Sequence, residues 1–288
     1  MKITISICAA ALALACGAFA ASPMPALIID GQNNHAWKET TPVLKKILED
    51  SGLFTVDVLT SPAKGGDFSN FRPEFTKYKV VISNYNGDPW PDAVKASFEA
   101  YMKNGGGFVS YHAADNAFPE WAAYNEMIGE GGWGNRDEKA GPYWYFKDGK
   151  LVSDSAPGKA GNHGARKPFQ VTTRDAKHPV MKGLPPVWIH ETDELYSKLR
   201  GPGDKIHLLA TAYSDPDNRG SGHDEPMLMA LEYGKGRIFH TTLGHDTVAM
   251  QCVGFIATLQ RGTEWAATGK VTEKVPKDFP GPDAVVKR

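Results

Sequence analysis

The sequence has few cysteines, little net charge and no apolar run long enough to cross a membrane. It contains three cysteines in 288 residues, and 32 basic residues against 33 acidic ones leave a formal net charge of −1. No basic patch indicates a nucleic-acid partner. The apolar run at residues 3–15 is shorter than the roughly 20 residues that a membrane span requires. The length suffices for one large domain or two small ones.

Residues 1–20 are predicted to form a cleavable signal peptide. Lys2 gives a basic start, residues 3–15 are apolar, and residues 18–20 (Ala-Phe-Ala) match the small-x-small cleavage rule. The mature protein would then begin at Ala21 and be periplasmic or secreted.

Lipidation at residues 14–16 (Leu-Ala-Cys) is the alternative, although Ala13 stands where a larger aliphatic residue is usual. Cleavage after Ala20 removes Cys8 and Cys16 and leaves Cys252 alone. The mature protein could not form an internal disulfide, so its stability must come from a hydrophobic core.

The first half of the mature chain alternates strand and helix patterns. Apolar strands are predicted at residues 26–30, 54–58, 79–83 and 108–111, and helices at residues 42–50 and 93–103. Thr41 as N-cap and Pro42 at the first helical position predict where the first helix begins. This alternation predicts an α/β fold with right-handed crossovers and a mostly parallel sheet.

The second half begins with a long insertion at residues 129–167 that is rich in glycine, aromatics and charge. Loops of this length are usually lids or binding loops. Further strands are predicted at residues 169–172, 188–189, 195–199, 206–212, 227–233 and 236–243. A closing helix is predicted at residues 250–259, so that one domain spans residues 21–269, and residues 270–288 are expected to form a polar surface tail.

Three histidines stand where predicted strands end: His35, His112 and His245. Ligands of open α/β sheets bind outside the carboxyl ends of parallel strands, so these imidazoles are expected to converge. His112 lies in residues 110–114 (Ser-Tyr-His-Ala-Ala), which have the layout of a nucleophile elbow. An imidazole in that place excludes a serine or cysteine covalent mechanism there. A simple loop hydrogen bond is the alternative role for His112.

The other two histidines also lie in turn-like sequences. Gly244 allows a tight turn before His245, and Asp246 could orient the ring or merely cap a helix. Asn34 and His35 lie in the first strand-to-helix loop, where the asparagine could contact a ligand or serve the turn.

The densest polar cluster is residues 190–196 (His-Glu-Thr-Asp-Glu-Leu-Tyr). In an extended chain, His190, Thr192 and Glu194 share one face. Asp193 lies on the other face, so only one of the two carboxylates would point into a crevice. A solvated charged face is the alternative.

Two chemistries fit imidazoles beside carboxylates. His35, His112 and His245 could hold a divalent metal, zinc or manganese. Alternatively, His112 and His245 could act as general acid and base, with Glu194 or Asp193 as partner. Aromatic side chains near the loops would suit stacking on sugar rings, although some of them must belong to the core; they are Trp37, Trp90, Trp121, Trp133, Tyr143, Trp144 and Tyr145.

At these residues the chain resembles the trehalose-utilisation (ThuA-like) family. The matching segments are residues 35–37 with 41–42, 105–114, 178–179 with 183–185, 193–196, and 234–237 through 243–245. The resemblance implies a flavodoxin-like sheet similar to class I glutamine amidotransferases, and a role in the utilisation of disaccharides or oxidised glycosides. It also implies that His112 replaces the amidotransferase cysteine, so no glutaminase activity is expected.

Together these features predict an exported α/β enzyme that hydrolyses, eliminates or isomerises a sugar. The predicted catalytic residues are His112, His245, Glu194 and Asp193. Substrate contacts are predicted at His35, Asn34, Trp37, Tyr196 and Trp144. A carbohydrate-binding protein without catalysis and a metal-binding structural module are the alternatives.

Overall fold

The computed structural model describes residues 22–288, and the predicted signal peptide lies outside them. The helices are α1 (Trp37–Asp50), α2 (Asp92–Lys103), α3 (Ala122–Ile128) and α4 (Val253–Thr268). The strands are β1 (Met24–Asp30), β2 (Phe54–Thr60), β3 (Val80–Ser83), β4 (Gly107–Tyr111), β5 (Tyr143–Lys147), β6 (Lys150–Asp154), β7 (Asn162–His163), β8 (Lys167–Thr173), β9 (Val187–Asp193), β10 (Tyr196–Ser197), β11 (His207–Tyr213), β12 (Asp224–Tyr233) and β13 (Gly236–Thr241). Within this described part, no helix is both long and apolar enough to span a membrane.

The main sheet has a parallel centre with the strand order β2-β1-β3-β4-β13. This is the 2-1-3-4-5 order of flavodoxin-like folds, with β13 as the fifth strand. The sheet continues through β12, β11, β8 and β9, all antiparallel, and the β5–β6 hairpin joins it at β12. The predicted α/β fold with a flavodoxin-like parallel sheet is confirmed.

The central strands are buried on both faces because helices cover both. In β1, Ala26 and Ile28 face the core beneath α1 and α4, while Leu27 and Ile29 face the core beneath α2 and α3. All four side chains are at most 2% exposed. Continuous apolar strands of this kind are typical of parallel sheets, since both of their faces pack against helices.

Three predicted helix boundaries were wrong. Helix α1 begins at Trp37, before Pro42, because the amides of Glu39 and Thr40 already donate to the carbonyl of Ala36. Thr41 is therefore not the N-cap, and its hydroxyl accepts from the Asn84 side chain at 3.0 Å. Helix α4 begins at Val253 rather than residue 250, because a short 3₁₀ turn, Ala249–Gln251, precedes it, and it continues to Thr268.

Residues 270–288 contain no helix or strand but contact the core. The ring of Phe279 lies 5.6 Å from that of Trp188. The amide of Val253 donates to the carbonyl of Val286 at 2.9 Å. The segment expected to be a surface tail thus covers the start of α4 and the buried Trp188.

Candidate active site

The three strand-end histidines converge at one edge of the parallel sheet. His35 follows β1, His112 follows β4 directly, and His245 follows β13. The ring centroid of His35 lies 4.9 Å from that of His112 and 4.6 Å from that of His245. β4 and β13 are adjacent in the sheet and β3 separates β4 from β1, so the parallel strands end at the same edge and their loops bring the imidazoles together.

His112 occupies a sharp turn with a fixed ring. Its φ angle of 44° is rare for a residue with a side chain and marks local strain. Its Nδ1 lies 2.6 Å from the carbonyl oxygen of Thr242 and donates to it, so the lone pair is on Nε2, which faces the Tyr196 hydroxyl. Burial lowers the pKa of His112, so the ring is neutral.

His35 is also a neutral imidazole. Burial and, to a lesser extent, the neighbouring imidazoles of His112 and His245 lower its pKa to about 3. The side-chain amide of Asn34 lies 3.2 Å from His35 Nε2 and donates to it, so this nitrogen carries the lone pair of the ring rather than the hydrogen.

Tyr196 and Glu194 complete the cluster from the second half of the chain. The Tyr196 hydroxyl lies 2.9 Å from His112 Nε2 and 3.2 Å from His35 Nε2. Glu194 places one carboxylate oxygen 3.9 Å from His112 Nε2 and the other 3.3 Å from His245 Nε2. A second-half histidine, His163, has its Nδ1 3.8 Å from the same carboxylate.

His245 donates toward Glu194. Arg166, which can only donate, lies 3.2 Å from His245 Nδ1 and also pairs with Asp246, so the ring hydrogen is on Nε2. Gly244 permits this placement: its φ is 103°, and a Cβ there would lie 2.6 Å from the ring of Tyr111.

Asp193 points away from the cluster. It is buried and accepts from the amides of Gly244 at 2.7 Å and His245 at 3.0 Å, and it pairs with His190 at 2.7 Å. Burial alone would raise the pKa of Asp193, but the hydrogen bond and charge of His190 outweigh it and hold that pKa below its ordinary value. Asp193 therefore positions the His245 loop rather than facing a ligand.

The predicted alternation of residues 190–196 fails because β9 contains a bulge. Phe169 of β8 pairs with His190 of β9, and Lys167 of β8 pairs with Asp193 of β9. Two residues along β8 therefore correspond to three residues along β9. The bulge puts His190 and Asp193 on the same side. Glu194 is then the carboxylate that faces the crevice.

A cavity of about 360 Å³ opens above the cluster, a size suited to a small molecule. Its lining combines polar side chains with the rings of Trp133 and Tyr196 and comprises Asn34, His35, Asn86, Asn116, Trp133, Gly134, His163, Glu194 and Tyr196. The ring of Trp133 lies 4.7 Å from that of Tyr196. A second cavity of about 650 Å³ adjoins it, shares Asn34 and Asn86, and is lined in part by Trp37.

Trp144 does not line either of these cavities: its indole nitrogen donates to the carbonyl of Gly201 at 2.9 Å. Five lining residues were not among the predicted catalytic or substrate-contact residues: Asn86, Asn116, Trp133, Gly134 and His163, of which Trp133 was predicted only as one of several stacking aromatics. The strand-end rule could have found Asn86, which lies three residues beyond β3. Trp133 and His163 lie in the aperiodic insertion, where no local pattern distinguishes them. Cys252, the residue directly before α4, is fully buried.

Comparison with known proteins agrees with this geometry. The chain resembles a crystallised ThuA-like protein of Parabacteroides merdae with 51% identity and a TM-score of 0.91, over 92% of this chain and 98% of that one. A ThuA-like protein of Bacteroides uniformis shares the fold with 23% identity and a TM-score of 0.59, over 90% and 98% of the two chains. No curated protein sequence matches. The family model for ThuA, trehalose utilisation, matches residues 25–266, and the chain belongs to this family.

Proposed function

We propose that the protein is an enzyme of carbohydrate utilisation that transfers protons on a disaccharide or oxidised (keto) glycoside in the cavity above His35 and His112. The observation that carries this proposal is the Tyr196 hydroxyl, which lies within hydrogen-bond distance of two neutral imidazoles inside a polar cavity. Burial raises the pKa of Tyr196 well above its ordinary value, so the phenol stays protonated and can donate a hydrogen bond to a sugar oxygen.

The distribution of charge favours elimination or isomerisation over direct hydrolysis. Glycosidases of the common type need two carboxylates that flank the scissile bond, roughly 5–9.5 Å apart. Among the residues that line the first cavity, beside His35, Glu194 is the one carboxylate; Asp88 lines the adjoining cavity. Asp193 is turned to the backbone and Asp246 is paired with Arg166. Proton transfer beside a sugar carbonyl needs only one acceptor and one donor, and this cluster supplies both.

The two adjoining cavities support a substrate of two rings. Trp133 offers an aromatic face in the first cavity and Trp37 lies at the second. Apolar faces of sugar rings stack on such side chains, while amides such as Asn34 and Asn86 bind hydroxyl groups.

The test compares trehalose with its 3-keto derivative, with NMR detection of products. We expect turnover of the keto sugar by the unaltered protein and a loss of at least about 100-fold in kcat for Tyr196→Phe. Tyr145→Phe is the matched control, because Tyr145 stacks on His223, outside the cavity lining. Binding of either sugar without turnover would identify a carbohydrate-binding protein instead, and absence of binding would overturn the proposal.

We also propose export through residues 1–20, on the basis of their sequence. Amino-terminal sequencing of the protein from cell fractions should find Ala21 first in the periplasm or medium. A lipid-modified Cys16 in the membrane fraction would establish anchoring in its place.

A further inference from the structure

We propose that His35, His112 and Glu194 bind a divalent cation. One nitrogen of each imidazole and one carboxylate oxygen lie within 4.8 Å of one another. Two histidines and one carboxylate are a common ligand set for zinc, manganese and non-haem iron. The inference deepens the proposed function by placing the ion at the same cavity, but its test does not require a sugar.

The first argument is that acceptor atoms face one another. His112 donates its Nδ1 hydrogen to Thr242, so its Nε2 presents a lone pair 3.9 Å from Glu194 Oε2, and His35 Nε2 presents the lone pair that now accepts from the Asn34 amide. Both nitrogens face the Tyr196 hydroxyl, which has a single hydrogen to donate. Glu194 adds acceptors to the same space. A cation satisfies several converging lone pairs at once.

The second argument is the small movement that binding would need. His112 Nε2 and Glu194 Oε2 are 3.9 Å apart. Two ligands of a tetrahedral zinc ion, each about 2.0–2.1 Å from it, are about 3.3 Å apart. Rotation of the Glu194 side chain, which lies at the cavity surface, closes that difference without movement of the strained turn at His112.

The third argument concerns the groups that hold the proposed metal ligands in place. Metal-binding histidines usually donate their second ring hydrogen to a carbonyl or carboxylate, as His112 does to Thr242. Metal-binding carboxylates are themselves held by hydrogen bonds, and His245 Nε2 lies 3.3 Å from Glu194. His245 would therefore hold the Glu194 carboxylate in place rather than bind the ion itself. This differs from the ligand set predicted from the sequence, which consists of His35, His112 and His245.

The ligand set also limits the chemistry. It contains two nitrogens and a carboxylate and no thiolate, which favours zinc or manganese over softer ions. Three protein ligands leave positions open for substrate oxygens. An ion there would polarise a sugar carbonyl; the Glu194 oxygen that does not bind the ion would remain as the proton acceptor, and Tyr196 and His245 keep the hydrogens available for transfer.

The test uses tag-free mature protein, dialysed against EDTA and then titrated separately with Zn²⁺, Mn²⁺ and Co²⁺ in the absence of sugar. Calorimetry should show one site, and Co²⁺ should develop a visible absorption band. We expect His35→Ala and Glu194→Gln each to weaken binding at least 10-fold. His223→Gln is the matched control, since His223 stacks on Tyr145 rather than lining the cavity.

Circular dichroism melts should show that the variants remain folded. Failure of Zn²⁺ and Mn²⁺ to bind at 1 mM, on the order of the weakest specific affinities, would overturn the proposal. So would equal affinity in the control and the two ligand variants. Ion binding without sugar turnover would leave the cation site intact and reject only the proposed reaction.

Discussion

At the scale of residues, Asp193 and Glu194 are neighbours in the chain with different partners. Asp193 is buried, accepts two amide hydrogens from the loop that carries His245, and pairs with His190. Glu194 remains 11% exposed and meets imidazoles at the cavity. The first carboxylate fixes the geometry of the site, and the second is available to a ligand.

These roles predict different effects on stability. Asp193→Asn should lower the free energy of unfolding by about 3 kcal/mol, because it removes the charge that compensates buried His190 and presents an amide to two backbone donors. Glu194→Gln should cost less than about 1 kcal/mol, since its side chain meets solvent. Urea unfolding measures both. Equal losses would show that Asp193 does not hold the loop as described.

The buried pair also predicts how stability depends on pH. Burial opposes the charged form of His190, but Asp193 outweighs burial and raises the pKa of His190 from 6.5 to about 9. Because the pKa of His190 is higher in the folded than in the unfolded protein, protonation of His190 stabilises the fold fully below about pH 6.5. This stabilisation is lost as the pH rises through 9. The expected loss is on the order of 3 kcal/mol.

Thermal melts between pH 6 and 10 test this dependence. The unaltered protein should lose stability across the range, and His190→Gln should flatten the curve. His207→Gln, which changes an exposed histidine paired with Asp175, should leave the curve unchanged. Parallel curves for the unaltered protein and His190→Gln would show that another group is responsible.

The sequence predicts some of the site residues better than others. His35, His112 and His245 follow apolar strands. The carboxyl ends of parallel strands lie at the same edge of the sheet, independently of the conformation of the loops. The choice between Asp193 and Glu194 depends on a bulge in β9, and a bulge is set by pairing with a distant strand rather than by local sequence. Trp133 reaches the cavity through tertiary packing of the insertion, which has no periodic pattern.

At the scale of elements, the insertion at residues 129–167 has two structural roles. The β5–β6 hairpin extends the sheet, with Trp144 bonded to Gly201, whereas Trp133 lines the cavity. The idea of a lid that stacks on sugar therefore depends on Trp133. That the insertion closes over a ligand stays a prediction.

Two tryptophan substitutions separate these functions. Trp133→Ala should weaken sugar binding about 10-fold or more with a small change in melting temperature, because the half-buried ring meets the cavity. Trp144→Ala should lower the melting temperature and leave binding unchanged. Titration of each variant with the keto sugar, beside a thermal melt, measures both. The reverse pattern would place the sugar on the hairpin.

Elements of the parallel half are predictable because apolar strands and amphipathic helices alternate. The antiparallel half is harder, since a strand pattern shows burial but not its neighbour or direction. Helix α1 begins earlier than Thr41 and Pro42 suggest because the backbone forms its first bonds at Ala36, and tertiary contact with Asn84 uses the threonine hydroxyl.

At the scale of the whole molecule, residues 270–288 contribute to the core rather than trail from it. Phe279→Ala should lower the free energy of unfolding by about 2 kcal/mol, because its partly buried ring packs against Trp188. Lys277→Ala, an exposed change two residues earlier, should have little effect. Guanidinium unfolding of the two variants makes the comparison, and equal stabilities would show that the segment is dispensable.

The position of β4 has a consequence for synthesis on the ribosome. β4 pairs with β3 on one side and with β13 on the other, and residues 112–235 lie between β4 and β13 in the chain. Until β13 emerges, an apolar strand presents unpaired backbone groups, which invite association with other chains. Chains truncated at residue 233 should therefore aggregate. Folding during translation therefore requires that β4 be kept from pairing with other chains until residues 236–241 have been synthesised.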